Sequence, residues 1–265
     1  MRRMAESISA LVLAGSRPGS DPLLDGSGLA SKALLLVGGK PMLAHVLLAL
    51  ARAPQIGRTL VYAQQTGPLA HDAAIAGEAR GVTWIAHQGT IADAIHDHFT
   101  RHGKPILVTT ADNVLLTPEM IAQFLRDAGQ ADVAVGLVER RRVETAGHST
   151  QRTWLKFRAG QWSGANLFLL GGPQVLPLVD FWRGLEQDRK KGWKLLAAFG
   201  PALLLGAALR LIDIHAFAAG IARRFGLQGK VVPMEASEAC IDADKPSDIP
   251  VIESILAARQ ASASA

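Results

Sequence analysis

Four short stretches carry residue types suited to phosphate and metal chemistry. The first is Leu13-Ala14-Gly15-Ser16-Arg17-Pro18-Gly19, at the end of an apolar run that begins near Ile8. Glycines directly after a strand let backbone N–H groups approach phosphate oxygens. Arg17 and, beyond a polar loop holding Asp21 and Asp25, Lys32 supply cations to neutralise them. The second stretch is Asp112-Asn113, which closes the apolar run from Pro105. A carboxylate there stands at the carboxyl edge of a parallel sheet, where open α/β folds bind ligands. The third is Asp242-Ala243-Asp244, whose carboxylates share a side if the segment is extended and whose hard oxygens suit a divalent cation. The fourth is Gln88-Gly89-Thr90, ahead of a helix at Ile91. A Gln side chain both donates to and accepts from a base edge, and Gly89 lets the backbone pack against a ring. Thr90 with Asp93 also spells a capping box.

Other chemistries are poorly served. Lys40 is followed by Pro41, so the glycine loop is not a Walker A motif, and no G-x-G-x-x-G follows the first strand. No G-x-S-x-G occurs, and Cys240, the only cysteine, has no evident base beside it. His96, His98 and His102 form no H-E-x-x-H pattern, so zinc is not expected.

Short apolar runs alternate with longer helical ones, the pattern of a mostly parallel α/β sheet. Strands are expected at Ser7 to Leu13, Thr59 to Ala63, Val82 to Ala86, Pro105 to Thr110, Asp132 to Val138 and Lys230 to Pro233. Two more should lie within Trp154 to Leu170, turning at Arg158-Ala159-Gly160. Helices are expected at Met42 to Ala53, Leu69 to Arg80, Ile91 to His102, Pro118 to Ala128 and Ile249 to Ala258. Between Pro173 and Gly229 the chain reads as a helical insertion, with helices at Val175 to Asp188, Leu195 to Arg210 and Ile214 to Phe225. The expected architecture is a three-layer, Rossmann-like sandwich forming one domain over residues 1–258, with 259–265 as a disordered tail.

Taken together, Leu13-Ala14-Gly15-x-Arg17, Lys32-Ala33-Leu34 and Gly38-Gly39-Lys40-Pro41-Met42-Leu43 resemble the nucleoside-triphosphate transferase superfamily with its GT-A-like fold. That group includes sugar-phosphate nucleotidylyltransferases and molybdenum-cofactor guanylyltransferase-like enzymes. The resemblance implies that Leu13 to Arg17 and Lys32 hold an NTP, that Gln88, Gly89 and Thr90 meet its base, and that Arg17, Lys32 and Asp112 serve catalysis. It further implies Mg²⁺ on Asp112 with a second ligand from Asp242 or Asp244, Asp242 being preferred. Ser163-Gly164-Ala165-Asn166 is similar to a segment that shapes the acceptor pocket, which points to Gly164 and Asn166. The expected reaction moves an NMP from an NTP to a phosphorylated sugar, polyol, inositol or lipid head group and releases pyrophosphate. A glycosyltransferase using Asp242-Ala-Asp244 as its D-x-D, or a non-catalytic membrane or partner module, are the alternatives.

Hydrophobic residues at 49% of 265 allow a sizeable core and exclude wholesale disorder. The net charge of +5 suits anionic partners, here nucleotides and phosphorylated metabolites, with no nucleic acid expected. The N-terminal Met-Arg-Arg-Met followed by apolar residues is read as a first strand, not a signal peptide, of a cytoplasmic protein. In the insertion, Trp182, Arg183, Arg189, Lys190, Lys191, Trp193 and Lys194 precede the apolar Leu195 to Leu209. That combination is expected to form a helical flap near the acceptor pocket that rests on a membrane surface, the alternatives being an ordinary buried hairpin or a homodimer contact.

Overall fold

The computed structural model describes residues 7–15, 21–148, 152–187 and 200–264. Ser16 and Arg17 of the glycine loop lie outside the described residues, as do Arg189, Lys190, Lys191, Trp193 and Lys194.

One sheet of eight strands forms the middle layer. Seven follow the order β10-β7-β9-β6-β1-β4-β5, and β8 pairs with β9. Their ranges are β1 Ile8–Leu13, β4 Ile56–Ala63, β5 Val82–Ala86, β6 Ile106–Thr110, β7 Val133–Glu139, β8 Leu155–Phe157, β9 Gly160–Leu170 and β10 Gly229–Pro233. β6, β1, β4 and β5 are parallel, as are β7 and β10, while β9 runs antiparallel between β6 and β7. The central strands read as apolar runs because both faces are covered. On one face lie α1 (Met42–Arg52), α3 (Ala73–Glu78), α5 (Pro118–Ala128) and α10 (Asp248–Ser264), packed around Leu43, Leu47, Leu107, Ile121, Phe124 and Ile252. On the other, α4 (Ile91–His102), α7 (Leu176–Gln187) and α9 (Ile214–Arg224) bury Phe99, Val179 and Ala222 against Leu11, Leu60 and Val108.

Several expectations are corrected. The helix expected from Leu69 to Arg80 is two short pieces, α2 (Gly67–Ala70) and α3, because the Asp72 carboxylate accepts from Ala74 N and Ile75 N and starts a new helix. A short α6 (Arg140–Thr145) follows β7 where no helix was expected. Within the described part of the expected Leu195-to-Arg210 helix, α8 is Pro201–Ala208, with Pro201 at its start. α10 continues through Ser264, beyond Ala258 and into the expected tail. Gly38 and Gly39, at φ 58° and 81°, form the two-residue turn of a small hairpin between β2 (Leu36–Val37) and β3 (Lys40–Pro41). Both conformations favour glycine, as in type I′ hairpins.

Candidate active site

The carboxyl ends of β1 and β6 and the segment before α10 meet at one sheet edge. Lys32 opens a 3₁₀ turn, Lys32–Leu34, whose Ser31 cap accepts from Ala33 N and whose Ala33 is fully buried. That anchoring turns the Lys32 ammonium onto Asp112, with Nζ 2.5 Å from Oδ2, and leaves it 3.9 Å from Asp244 Oδ1. The other Asp112 oxygen accepts from Thr110 Oγ1 at 2.5 Å. Next to it, the buried Asn113 amide donates to Thr109 Oγ1 and to Ala165 O, tying the end of β6 to β9. Asp112 also accepts through its backbone: Ala243 N donates to Asp112 O at 3.1 Å. This bond brings Asp242 and Asp244 beside Asp112, and carboxylate oxygens of all three residues lie within 4.8 Å of one another.

A residue absent from the sequence expectations completes the cluster. Arg152, only 8% exposed, donates Nη1 to Asp242 Oδ1 and Nη2 to the Asp242 carbonyl at 2.5 Å, and it stands 3.6 Å from Asp248 Oδ1. The signal in the sequence was weak: an Arg between a helix and an edge strand, with no motif around it. Asn166, expected at the acceptor, donates Nδ2 to Asp242 Oδ2 at 2.7 Å, and its φ of 50° holds this turned geometry. Asp248, at the start of α10, accepts at Oδ2 from Asp244 N and Lys245 N, bracing the loop upstream.

The expected base segment sits along the same edge. Thr90 and Asp93 form the capping box of α4. Gln88 Nε2 donates to Gln64 O, and the Gln64 side chain packs against Gly15, so Gln64 links this segment to the start of the glycine loop. A Cβ on Gly89 would come within 2.8 Å of the Asp93 and His87 side chains, so any larger residue would push them aside. Ala14 N is bonded to Tyr62 O, and Ala111 N to Leu13 O, which fixes the start of the loop. Gly164 is paired with Leu137 across β7 and β9 with open space at its Cα. Lys40, by contrast, is 3.5 Å from Glu78 of α3 and takes no part in the cluster. Cys240 is buried, and that burial pushes its thiol up to about 11, a poor nucleophile.

Residues 10–211 match the MobA-like NTP transferase domain. The chain belongs to this family. Solved structures similar to this NTP transferase include a hypothetical transferase from Thermus thermophilus, 25% identical, with a TM-score of 0.74 over 92% of this chain and 99% of that one. A 4-diphosphocytidyl-2C-methyl-D-erythritol synthase is 14% identical, with a TM-score of 0.57 over 96% and 100% of the two chains. A CMP:2-keto-3-deoxy-manno-octonic acid synthetase complexed with CTP is 15% identical, with a TM-score of 0.55 over 95% and 99%. The last two likenesses concern the fold. No curated protein matches the chain. The nucleotidyltransferase class and the Rossmann-like, mostly parallel sheet are thus as the sequence indicated.

Proposed function

We propose that this NTP transferase moves an NMP from an NTP onto the phosphate of a small phosphorylated acceptor, with Mg²⁺, and releases pyrophosphate. The observation that carries the reading is the convergence of Lys32, Asp112, Asp242 and Asp244 at the carboxyl edge of the sheet. In the reaction an acceptor phosphate oxygen forms a bond to the α-phosphorus. The bond from that phosphorus to the α,β-bridging oxygen breaks, and its electron pair leaves with pyrophosphate.

The donor set fits a hard divalent cation. Four carboxylates, Asp112, Asp242, Asp244 and Asp248, gather around two cations, Lys32 and Arg152. Their surplus of negative charge matches one divalent ion, and oxygen donors suit Mg²⁺. When bound, Mg²⁺ supplies charge that stabilises the phosphoryl oxygens and the leaving group. Asp112 would hold it, with Asp244 as the second ligand. Asp242 is engaged at both oxygens by Arg152 and Asn166, whereas the Asp244 side chain is 58% exposed. This reading departs from the preference for Asp242.

The remaining roles fall to the chain itself. Lys32 leaves its carboxylate partners for the triphosphate oxygens, and Arg17 with the backbone of Leu13 to Ser16 cradles the same group. Gln88, Gly89 and Thr90 present their polar edges to the base, which positions the α-phosphorus. Gly164 leaves room for the acceptor. Reliance on an NTP supports a cytoplasmic site of action.

The experiment is pyrophosphate release measured with each NTP against phosphorylated sugars, polyols, inositols and lipid head groups in Mg²⁺. Release that needs both substrates and metal supports the reading. Turnover of nucleotide-sugars without pyrophosphate release from any NTP would replace it with glycosyl transfer.

A further inference from the structure

The connection between α8 and α9 is built against the usual economy of a helix end. α8 closes in a Schellman motif, with Arg210 N donating to Ala207 O and Leu211 N to Gly206 O. The residue at the turn of such a motif is left-handed and normally glycine, and an apolar residue after it normally packs back on the helix. Here the left-handed residue is Arg210, at φ 57°, and Leu211 is 62% exposed instead of packing back. Leu209 and Leu205 are 58% and 59% exposed. Beneath this tip the fold is well packed. Ile212 lies against Gly206, Phe157 against Phe217, and Ile214 against Leu137 and Trp162. The three leucines and the arginine are therefore surplus to the core.

The surroundings are basic. Arg158 N donates to Ile212 O, which brings the β8–β9 turn, with exposed Lys156 and Arg158, beside the tip. Arg210, Lys156 and Arg158 thus gather at the tip, with the acid Asp213 3.6 Å from Arg158. Exposed leucines within a cationic field match a surface with an apolar interior and anionic phosphates. Among the described residues no helix is long and apolar enough to cross a membrane, so the contact is a peripheral one.

We infer that the Leu205, Leu209, Arg210 and Leu211 tip docks on an anionic lipid surface. Its position gives the docking a consequence for catalysis. The first turn of α9 packs on Leu137 and Trp162, at the carboxyl end of β7, and β7 points the same way as β6, which ends at Asp112. Tip and acidic cluster share one edge of the sheet, so a docked molecule turns that edge toward the lipid. Resting on the nucleotidyl-transfer reading, this favours an acceptor met at the membrane, such as a phosphorylated head group.

Co-sedimentation of the full chain with phosphatidylcholine vesicles, with and without phosphatidylglycerol, tests the docking without requiring turnover. Binding should need phosphatidylglycerol and weaken with salt. It should fall by about tenfold when Leu205, Leu209 and Leu211 are all changed to Ser. Arg210→Gly gives an opposed pair of readouts: the melting temperature rises, because glycine suits the left-handed turn, while vesicle binding falls. Wild-type protein that stays in the supernatant with anionic vesicles at low salt overturns the inference. So does sedimentation equilibrium showing a dimer that the leucine changes convert to monomer without any vesicle binding, in which case a second copy covers the tip. Failure of these assays leaves pyrophosphate release untouched, and absence of that release leaves vesicle binding measurable.

Discussion

Arg152→Met removes a buried cation from a cluster of carboxylates, and its cost follows from the partners left behind. Losing one member of a buried ion pair typically costs 3–5 kcal/mol, because the other charge stays buried. Two circumstances place this case near the lower end. Asp248 keeps its bonds from Asp244 N and Lys245 N, and Asp242 keeps the bond from Asn166. A loss of about 3 kcal/mol in a chain of this size lowers the melting temperature by about 6–12 °C. The electrostatic account makes a second demand. Mg²⁺ replaces part of the missing positive charge, so adding it should raise the melting temperature more in Arg152→Met than in the wild type. Thermal unfolding with and without Mg²⁺, followed by a double-mutant cycle with Asp242→Asn, measures both. A drop under about 2 °C, or two changes whose effects simply add, would refute the role given to Arg152.

Lys32→Ala should lower pyrophosphate release by about 10²–10³-fold, or about 3–4 kcal/mol of transition-state stabilisation, with the circular dichroism spectrum unchanged; turnover near wild type removes Lys32 from the site. Asp112→Asn should abolish the response of activity to Mg²⁺, checked by titrating the metal, and a normal titration curve would move the metal elsewhere. Gly89→Ala puts a methyl group into Asp93 and His87, and should raise the KM for NTP by about tenfold while kcat changes little; an unchanged KM separates this segment from the base. His98 is fully buried, with Nδ1 lacking a partner among the described residues and Nε2 donating to Lys104 O, beside His102, Arg58 and Asp97. Burial depresses its pKa below 6.5, so the neutral ring is favoured and stability declines as pH falls below 6.5 toward the folded-state value. His98→Phe should flatten that acid limb in urea unfolding, and an equally steep limb would assign it to other groups.

The strands and the larger helices were legible because each obeys a local rule. Val82–Ala86, Ile91–His102 and Pro118–Ala128 fall where the apolar runs and the Thr90 cap put them. What escaped depended on contacts distant in sequence. α6 contains Arg140, Arg141 and Arg142 and only one buried apolar residue, Val143, so it has no apolar stripe to read. The Leu69-to-Arg80 stretch looked continuous because its apolar spacing is helical, yet the short-range bonds of Asp72 win at the break. At the site, Lys32, Asp112 and the Asp242–Asp244 pair could be named from residue type and place. That Asn166 would face Asp242, and that Arg152 would pair with it from 90 residues away, required the fold itself.

The bond from Ala243 N to Asp112 O ties together the two halves of the acidic cluster. It latches two segments that synthesis separates by almost half the chain. Closing so large a loop carries an entropic cost that only the finished packing offsets. Lys32 and Asp112 come from segments next to β1 and β6, whereas Asp242 and Asp244 lie beyond β10 in the chain. Without the Asp242–Asp244 segment, the sheet edge carries only the Lys32 and Asp112 half of the acidic cluster. Assembly of the acidic cluster therefore waits on closure of a long loop, and its geometry depends on long-range packing rather than on any local stretch.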